Sequence, residues 1–150
     1  MRLLIQRVLE ASVTIGGVVK SKTGKGLLAL VGFEAADSEE DLLWGAAKLA
    51  RLRIFDDEQG VMNLSLQDVG GEALIVSQFT LHAQTKKGNR PSYIQAARPE
   101  CAVAMYNKLV DLVQAELQKP VGTGEFGADM QVSLINDGPV TIWIDTKRRE

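Results

Sequence analysis

Only two stretches of this chain repeat apolar residues at helical spacing, and the other apolar stretches have the length and composition of β-strands. The first helical stretch is 38–52. The second begins at Pro99, a residue that suits a first helical turn, and is expected to run to about Leu117. Strands come before, between and after these helices. This order predicts an α/β fold, a single layered domain over residues 1–150 in which helices cover a sheet.

The strand predictions come from β-branched composition and from bounding turn residues. We expect strands in 2–15, followed by a hairpin region, and then in 26–33 and 72–83. The stretches 129–137 and 139–147 are expected to be two final strands, joined by a turn at Gly138-Pro139, because proline weakens a central strand and belongs at a strand start or edge.

Charge and cysteine content restrict the function classes. The 150 residues carry a formal net charge of −2, whereas proteins that coat nucleic acid non-specifically are usually basic, so any RNA contact must be local. Cys101 is the only cysteine, which excludes an internal disulfide and points to a reducing compartment. We expect it to be a small apolar filler in the second helix.

Metal, cofactor and membrane roles have little support in the sequence. His82 is the only histidine, so a Cys/His zinc site cannot be assembled, and only an all-oxygen site stays open. The acidic stretch 34–42 is better explained as a helix start capped by Asp37 or Ser38. No apolar run reaches the roughly 18 residues of a membrane span. We therefore expect a cytoplasmic protein without cofactor, metal or membrane partner.

Four polar residues interrupt the apolar strand predicted at 72–83, namely Ser77, Gln78, Thr80 and His82. In a regular strand the last three share one face, so a Ser-His relay is unfavourable while a Thr80-His82 pair stays conceivable. The simple alternative is a half-exposed strand with polar residues in water. The functional alternative is a polar strand end whose backbone N–H groups bind an ester and its developing oxyanion.

Two further features admit both a structural and a functional interpretation. The loop after this strand carries Lys86, Lys87 and Arg90 within five residues, which suits either a solvated loop or a grip on phosphates. Asn136-Asp137-Gly138-Pro139 is ordinary turn chemistry, and it is also rigid enough to take part in a site.

Four segments together resemble the D-aminoacyl-tRNA deacylase family. They are VSQFTL at 76–81, GNRPSY at 88–93, FGADMQVSLINDGPVT at 126–141 and IQRVLEASV at 5–13. The resemblance runs in order over nearly the whole chain. It implies a layered β/β/α domain and a homodimer with active sites at the interface. It also implies hydrolysis of the ester that joins a D-amino acid to the 3′ end of tRNA.

The resemblance also assigns site residues. The family's Ser-Gln-x-Thr motif falls on Ser77, Gln78, Phe79 and Thr80, and its Gly-cis-Pro motif falls on Gly138 and Pro139, which enter the partner's site. Rigid carbonyls placed where an L side chain would go exclude L-aminoacyl-tRNA, and a clash of about 4 kcal/mol gives about a thousandfold discrimination. Such a filter ignores side-chain identity and predicts leakage toward glycyl-tRNA.

The mechanism stays open at this stage. Thr80 could be the nucleophile, although no base is identifiable, or the 2′-hydroxyl of the tRNA could help to activate water while the protein only positions the ester. Two rival functions also stay open. One is a peptidase-like hydrolase that uses Thr80 or Ser77, and the other is a tRNA-binding module without turnover that uses the loop of Lys86, Lys87 and Arg90, with no DNA partner in any of these cases.

Overall fold

The computed structural model describes residues 1–149 as eight strands, three α-helices and one 3₁₀ turn. The strands are β1 Arg2–Ile15, β2 Val18–Thr23, β3 Gly26–Gly32, β4 Phe55–Asp56, β5 Met62–Leu64, β6 Glu72–Ser77, β7 Gly122–Thr123 and β8 Gln131–Asp145. The helices are α1 Glu39–Arg51, α2 Leu66–Val69 and α3 Pro99–Leu117, and the 3₁₀ turn is Phe79–His82. The predicted α/β class and both long helices are confirmed.

The long strand β1 organises the main sheet. Its first half pairs with β3, its second half pairs with β2, and β8 runs antiparallel along its other side. Beyond β3 the sheet continues with β6 and β7, both joined in parallel. The ends of β1, β3, β6 and β8 therefore form one row, in which Arg2 is opposite Asp145 and Gly32, and Val31 is opposite Ser77.

Apolar side chains lie on both faces of this sheet. On one face α1 and α3 cover a core of residues such as Leu3, Ile75 and Leu109. On the other face the first half of β8 packs over Val13 and Leu74. This arrangement gives a β/β/α layering, which places the end of β6 between the helix layer and the returning strand.

The acidic segment before α1 behaves as predicted. Ser38 is the N-cap residue, and the carboxylate of Asp41 accepts a hydrogen bond from the Ser38 N–H group at 2.8 Å. The expected burial of Cys101 is wrong, because this residue occupies the first turn of α3 on the exposed side. Within residues 1–149, no helix is both long and apolar enough to cross a membrane.

The strand predicted at 72–83 is too long, because β6 ends at Ser77. The N–H group of Gln78 makes the last ladder bond, to the carbonyl of Val31 at 2.7 Å, and the chain then turns. A Cβ atom on Gly32 would lie 2.8 Å from the Gln78 carbonyl oxygen, so the turn can fold back only over a glycine. The predicted common face of Gln78, Thr80 and His82 does not exist.

The prediction of two final strands is also wrong. Both stretches belong to β8, and both pair with β1 in the same direction. The Gly-Pro turn, residues 136–140, is a bulge within β8 opposite Arg7. Its Gly138–Pro139 peptide bond is cis. The amide of Asn136 closes the bulge, because it accepts from the N–H group of Val140 at 2.8 Å and donates to the Val140 carbonyl at 3.1 Å.

Candidate active site

The first part of the site is the SQFT turn, residues 77–82, which follows β6. Ser77 ends the strand beside Val31, and Gln78 turns the chain into the 3₁₀ turn. The turn packs directly on the backbone of Gly32, and Arg2 donates to its Leu81 carbonyl at 2.9 Å, so the ends of β1 and β3 determine its position. The side chain of Phe79 is 56% exposed and is therefore available to a ligand or a second chain.

Two backbone N–H groups of this turn have no acceptor. Within residues 1–149 the N–H groups of Gln78, Leu81 and Ala83 are hydrogen-bonded, whereas those of Phe79 and Thr80 have no partner. Unpaired N–H groups are expected at the start of a helical turn, where no preceding carbonyl is in reach. Two adjacent free donors can together bind an oxygen that carries negative charge.

The side chains of the turn contain no catalytic relay. The hydroxyl of Thr80 accepts a hydrogen bond from the Gln78 amide. The His82 ring is buried, and neither of its nitrogens has a hydrogen-bond partner among the described residues. The Thr80-His82 pair that stayed conceivable from sequence is therefore absent in residues 1–149. The hydroxyl of Thr80 has an orienting donor but no base.

A cavity of about 670 Å³ opens beside the turn. Ser77, Gln78 and Phe79 line it, whereas Thr80 does not. The rest of its wall is mainly apolar and comes from β3, the start of α3 and the segment before β8. The lining residues that the sequence analysis did not assign include Tyr93, Arg98, Ala102, Phe126, Gly127 and Met130. Tyr93 and the residues from 126 onward lie in the resembling segments, so a signal for them was present.

Aromatic contacts fix the cavity wall. Tyr93 meets Phe79 edge to face, with ring centroids 5.1 Å apart. Phe126 is held by Tyr106, whose ring centroid is 6.3 Å away and whose hydroxyl donates to the Ile75 carbonyl at 2.7 Å. Burial raises the pKa of Tyr106 to about 12, so its hydroxyl stays neutral and keeps this bond at physiological pH.

The cationic loop, residues 84–92, leaves the SQFT turn directly. Gln84 and Ser92 close its base with backbone hydrogen bonds of 2.8 and 3.0 Å. Lys86, Lys87 and Arg90 are exposed, and none of them is ion-paired to another residue in 1–149. None lines the cavity. The structure therefore places these three cations in the loop that follows the turn and outside the cavity.

The Gly-Pro turn is not in the cavity of its own chain. β1 and β3 separate β8 from β6, which corresponds to about 14 Å across the sheet. The two motifs are also offset along the strand direction. The turn is opposite Arg7, Arg7 pairs with Leu27, and Leu27 pairs with Ala73. Ala73 is four residues before Ser77, which gives the offset. Measured along the hydrogen-bonded strands, these offsets amount to about 20 Å between the two motifs.

The Gly-Pro turn is nevertheless rigidly held. Arg7 is buried, and it donates to the Asp137 carbonyl at 2.8 Å and to the Ile54 carbonyl at 2.7 Å. It also forms ion pairs with Asp56 at 3.2 Å and with the Asp137 carboxylate at 3.5 Å. A Cβ atom on Gly138 would lie 2.5 Å from the Val140 nitrogen, so only glycine fits there. Gly138 and Pro139 themselves are exposed.

The family of this chain is established by its sequence. The model of the D-Tyr-tRNA(Tyr) deacylase family matches residues 4–145. The chain belongs to this family. The D-aminoacyl-tRNA deacylases of Parabacteroides distasonis and Bacteroides thetaiotaomicron are each 59% identical to it over 150 residues, which is all of both chains. That of Flavobacterium psychrophilum is 57% identical over the same length.

Solved structures agree with this membership. The c-Myc DNA Unwinding Element Binding Protein is 38% identical, with a TM-score of 0.91 over 97% of this chain and 98% of its own. A probable eukaryotic D-amino acid tRNA deacylase is 19% identical, with a TM-score of 0.82 over 95% of this chain and 97% of its own, and it supports the fold alone. The family member described here is a hydrolase that removes D-amino acids from tRNA, as the sequence predicted.

Proposed function

We propose that this deacylase is a chiral proofreader that hydrolyses D-aminoacyl-tRNA and glycyl-tRNA and rejects L-aminoacyl-tRNA. One observation carries the catalytic part of the proposal. The SQFT turn offers two adjacent free N–H groups, of Phe79 and Thr80, beside a cavity, and it offers no base. Such a site stabilises the charge that develops on an ester carbonyl and does not itself attack the ester.

In this proposal the cavity takes the terminal nucleoside of the tRNA. Its volume of about 670 Å³ and its aromatic wall, which includes Tyr93 and Phe126, suit a base and its ribose. Arg98 is at the same wall and can pair with the terminal phosphate. The preceding phosphates reach the cationic loop, where Lys86, Lys87 and Arg90 hold them.

The reaction then needs little from side chains. The ester carbonyl points to the N–H groups of Phe79 and Thr80, and each donor contributes about 3 kcal/mol to stabilising the oxyanion. Water attacks the carbonyl with help from the neighbouring 2′-hydroxyl of the tRNA. Ser77, Gln78 and Thr80 act by holding the shape of the turn, since the Gln78 amide is bonded to the Thr80 hydroxyl.

Chirality is assigned to a second subunit. The Gly-Pro turn lies about 20 Å from the SQFT turn of its own chain, so only a partner's turn can reach the site. Its rigid carbonyls would occupy the position of an L side chain, and glycine, which has no side chain, would pass. The open sheet face beside the turn supports a two-fold dimer, because Trp143 is 50% exposed there opposite Leu4.

The proposed setting is the cytoplasm, with aminoacyl-tRNA as substrate and neither DNA nor a membrane as partner. One structural relative is named for binding DNA. In this chain the net charge of −2 gives no general attraction for a duplex. A duplex DNA competitor should therefore leave deacylation unchanged, whereas uncharged tRNA should inhibit it.

The direct experiment uses one tRNA charged with a D-amino acid, with its L enantiomer and with glycine, and follows ester loss. We expect the D and glycyl esters to be hydrolysed and the L ester to react at least about a thousandfold more slowly. Equal rates on D and L esters would contradict the chiral filter. Cleavage of amides or small esters without RNA would favour the peptidase-like rival, and binding without ester loss would favour the non-catalytic rival.

A further inference from the structure

A second groove, of about 380 Å³, lies at the free edge of β8. β8 pairs with β1 on one side only, so its other edge is open among the described residues. Trp44 and Lys48 of α1, with Leu52 just after it, form one wall of the groove, and Arg148 and Arg149, which follow β8, form another. Trp143, the exposed residue cited above for the dimer, also lines the groove, whereas the ester chemistry proposed above uses none of its residues.

The groove is basic, although the chain as a whole is not. Four cations line it, Arg2, Lys48, Arg148 and Arg149, against the single carboxylate of Asp145. Arg2 is paired with Asp145 at 3.1 Å, and Arg149 is paired with Glu40 at 3.0 Å. Lys48 and Arg148 have no ion-pair partner within residues 1–149. A local surplus of positive charge in a chain of net charge −2 favours a polyanion at this position.

An aromatic ring fixes two of these cations in advance. The Arg149 guanidinium is 4.8 Å from the centroid of the Trp44 ring, and the Lys48 ammonium is 5.1 Å from it. Arg149 also donates to the Thr146 carbonyl at 3.2 Å. Side chains that are already ordered lose less conformational entropy when a ligand binds. The groove therefore has the character of a prepared anion site, whereas within residues 1–149 no aromatic ring orders the cations of the cationic loop.

The groove adjoins the SQFT turn through Arg2. This side chain lines the groove, and it also donates to the Leu81 carbonyl of the turn at 2.9 Å. Asp145, Arg2, Gly32 and the end of β6 lie side by side in the row of strand ends. Three strand spacings put the groove about 14 Å from Ser77. A stacked RNA strand places about four phosphates over that distance, at 3.4 Å each.

We infer that this groove is a second anchor for the RNA of the substrate, and that Lys48 and Arg148 bind phosphates in it. The inference rests on the proposed function, because it assumes that the ester is at the SQFT turn. It adds a contact that the cationic loop cannot make, since the loop leaves the turn after Ala83 and the groove is reached through Arg2 and β8. The two surfaces would hold the strand at two separate points.

The test compares the double variant K48A/R148A with the control K20A/K25A, which removes the same charge from exposed lysines at the other end of the sheet. Binding of a tRNA to each is measured from 0.05 to 0.3 M salt. The groove variant should bind at least about tenfold more weakly at 0.1 M salt, and its slope of log K against log salt should flatten by about 1.5. The control should match the unaltered protein.

A second measurement separates this inference from the proposed function. The ratio of kcat/KM on D-aminoacyl-tRNA to kcat/KM on the D-aminoacyl ester of adenosine should fall about tenfold in K48A/R148A. If the unaltered protein hydrolyses neither ester, the proposed function fails. If it hydrolyses both, an unchanged ratio and an unchanged salt slope in the groove variant would overturn the inference that the groove binds RNA. If the K48A/R148A substitutions change the sedimentation of the protein but leave tRNA binding unchanged, the groove binds a protein partner. This result would also overturn the inference.

Discussion

The hydroxyl and the backbone N–H group of Thr80 have different surroundings, and this difference favours the mechanism in which the 2′-hydroxyl of the tRNA helps to activate water. The hydroxyl is engaged by the Gln78 amide and has no base, whereas the N–H group is free. The side chain is therefore expected to matter less than the backbone at this position. The same reasoning applies to Phe79, whose N–H group is the other free donor of the SQFT turn.

Thr80→Ala should keep kcat within about tenfold of the unaltered enzyme, because the free N–H group is retained. Thr80→Pro removes that N–H group at a position where the φ of a 3₁₀ turn suits proline. It should lower kcat by about 10²–10³-fold, the usual cost of one oxyanion donor. Single-turnover deacylation with D-aminoacyl-tRNA measures both effects. An acyl-threonine trapped at position 80 would contradict this prediction and restore the nucleophile mechanism.

His82→Leu should leave the free energy of unfolding unchanged or raise it by about 1 kcal/mol. Both ring nitrogens of His82 are buried without a protein partner, and unpaired buried polar atoms are costly. Urea denaturation at pH 7 tests this change, with deacylation as the control for an intact turn. A loss of more than about 2 kcal/mol would show that the ring nitrogens are bonded in solution, for example to a buried water.

At the residue scale the sequence did not predict the geometry of the turn after β6. The site roles of the SQFT and Gly-Pro motifs come from the resemblance and stay predictions. The prediction that Gln78, Thr80 and His82 share one face was wrong, because it assumed that the strand continues regularly to position 82. What ends that strand is the contact of the turn with Gly32, some 45 residues earlier in the chain, and such a contact leaves no periodic signal.

At the scale of elements, an ion cluster fastens the end of β8 to α1. The ammonium of Lys147 is 2.6 Å from the buried carboxylate of Asp41. Burial by itself would raise the pKa of Asp41, but the hydrogen bonds from Lys147 and from the Ser38 N–H group outweigh it and hold the pKa well below the ordinary value of 3.8. The bond to Asp41 raises the pKa of Lys147 above 10.5.

The lowered pKa of Asp41 predicts how the free energy of unfolding depends on pH. A carboxyl whose pKa is lower in the folded state stabilises the fold above its unfolded pKa, and this stabilisation is lost as the pH falls below about 4. Asp41→Asn should therefore cost about 2 kcal/mol at pH 7, and the difference from the unaltered protein should shrink at pH 3. Urea denaturation at both values measures it, with the exposed Glu58→Gln as control. An equal difference at pH 3 and pH 7 would contradict the assignment.

Arg7→Ala should loosen the Gly-Pro turn. It removes the donors to the Asp137 and Ile54 carbonyls, so it should lower the free energy of unfolding by about 2–4 kcal/mol. The ratio of D to L deacylation rates should fall with it. The control is Arg53→Ala, because Arg53 is exposed and bonds only to Asn63. Unchanged chiral selectivity in Arg7→Ala would show that the turn is positioned by other contacts.

The two long helices were predictable because their apolar spacing is periodic and their ends carry local signals, such as Pro99 and the acidic residues before α1. β8 was not predictable as one strand, since Gly138-Pro139 reads locally as a turn. The continuity of β8 depends on pairing with β1 at both ends of the bulge and on Arg7, which is 130 residues away. Local turn chemistry cannot report a partner so distant in sequence.

For the whole molecule, the sheet order separates the two motifs of the proposed site. In one chain the SQFT turn and the Gly-Pro turn lie on strands that are three strand spacings apart. In the proposed function a two-fold dimer accounts for this separation, because its axis can bring each turn to its complement on the other subunit. We therefore predict that the rejection of L-aminoacyl-tRNA is a property of the dimer and not of the single chain.

Subunit exchange between two variants tests this central claim most directly. Thr80→Pro disables the SQFT turn, whereas Gly138→Val disables the Gly-Pro turn, where even a Cβ atom would clash with Val140, and should admit L-aminoacyl-tRNA. After exchange at equal concentrations, half of the dimers are hybrids, and in each hybrid the intact SQFT turn of one subunit meets the intact Gly-Pro turn of the other. Half of the intact SQFT turns then lie in hybrids, so deacylation of L-aminoacyl-tRNA should fall to about half of its value before exchange, whereas that of D-aminoacyl-tRNA should not change. An unchanged rate on L-aminoacyl-tRNA after verified subunit exchange would contradict the account, because it would mean that both turns act within one chain.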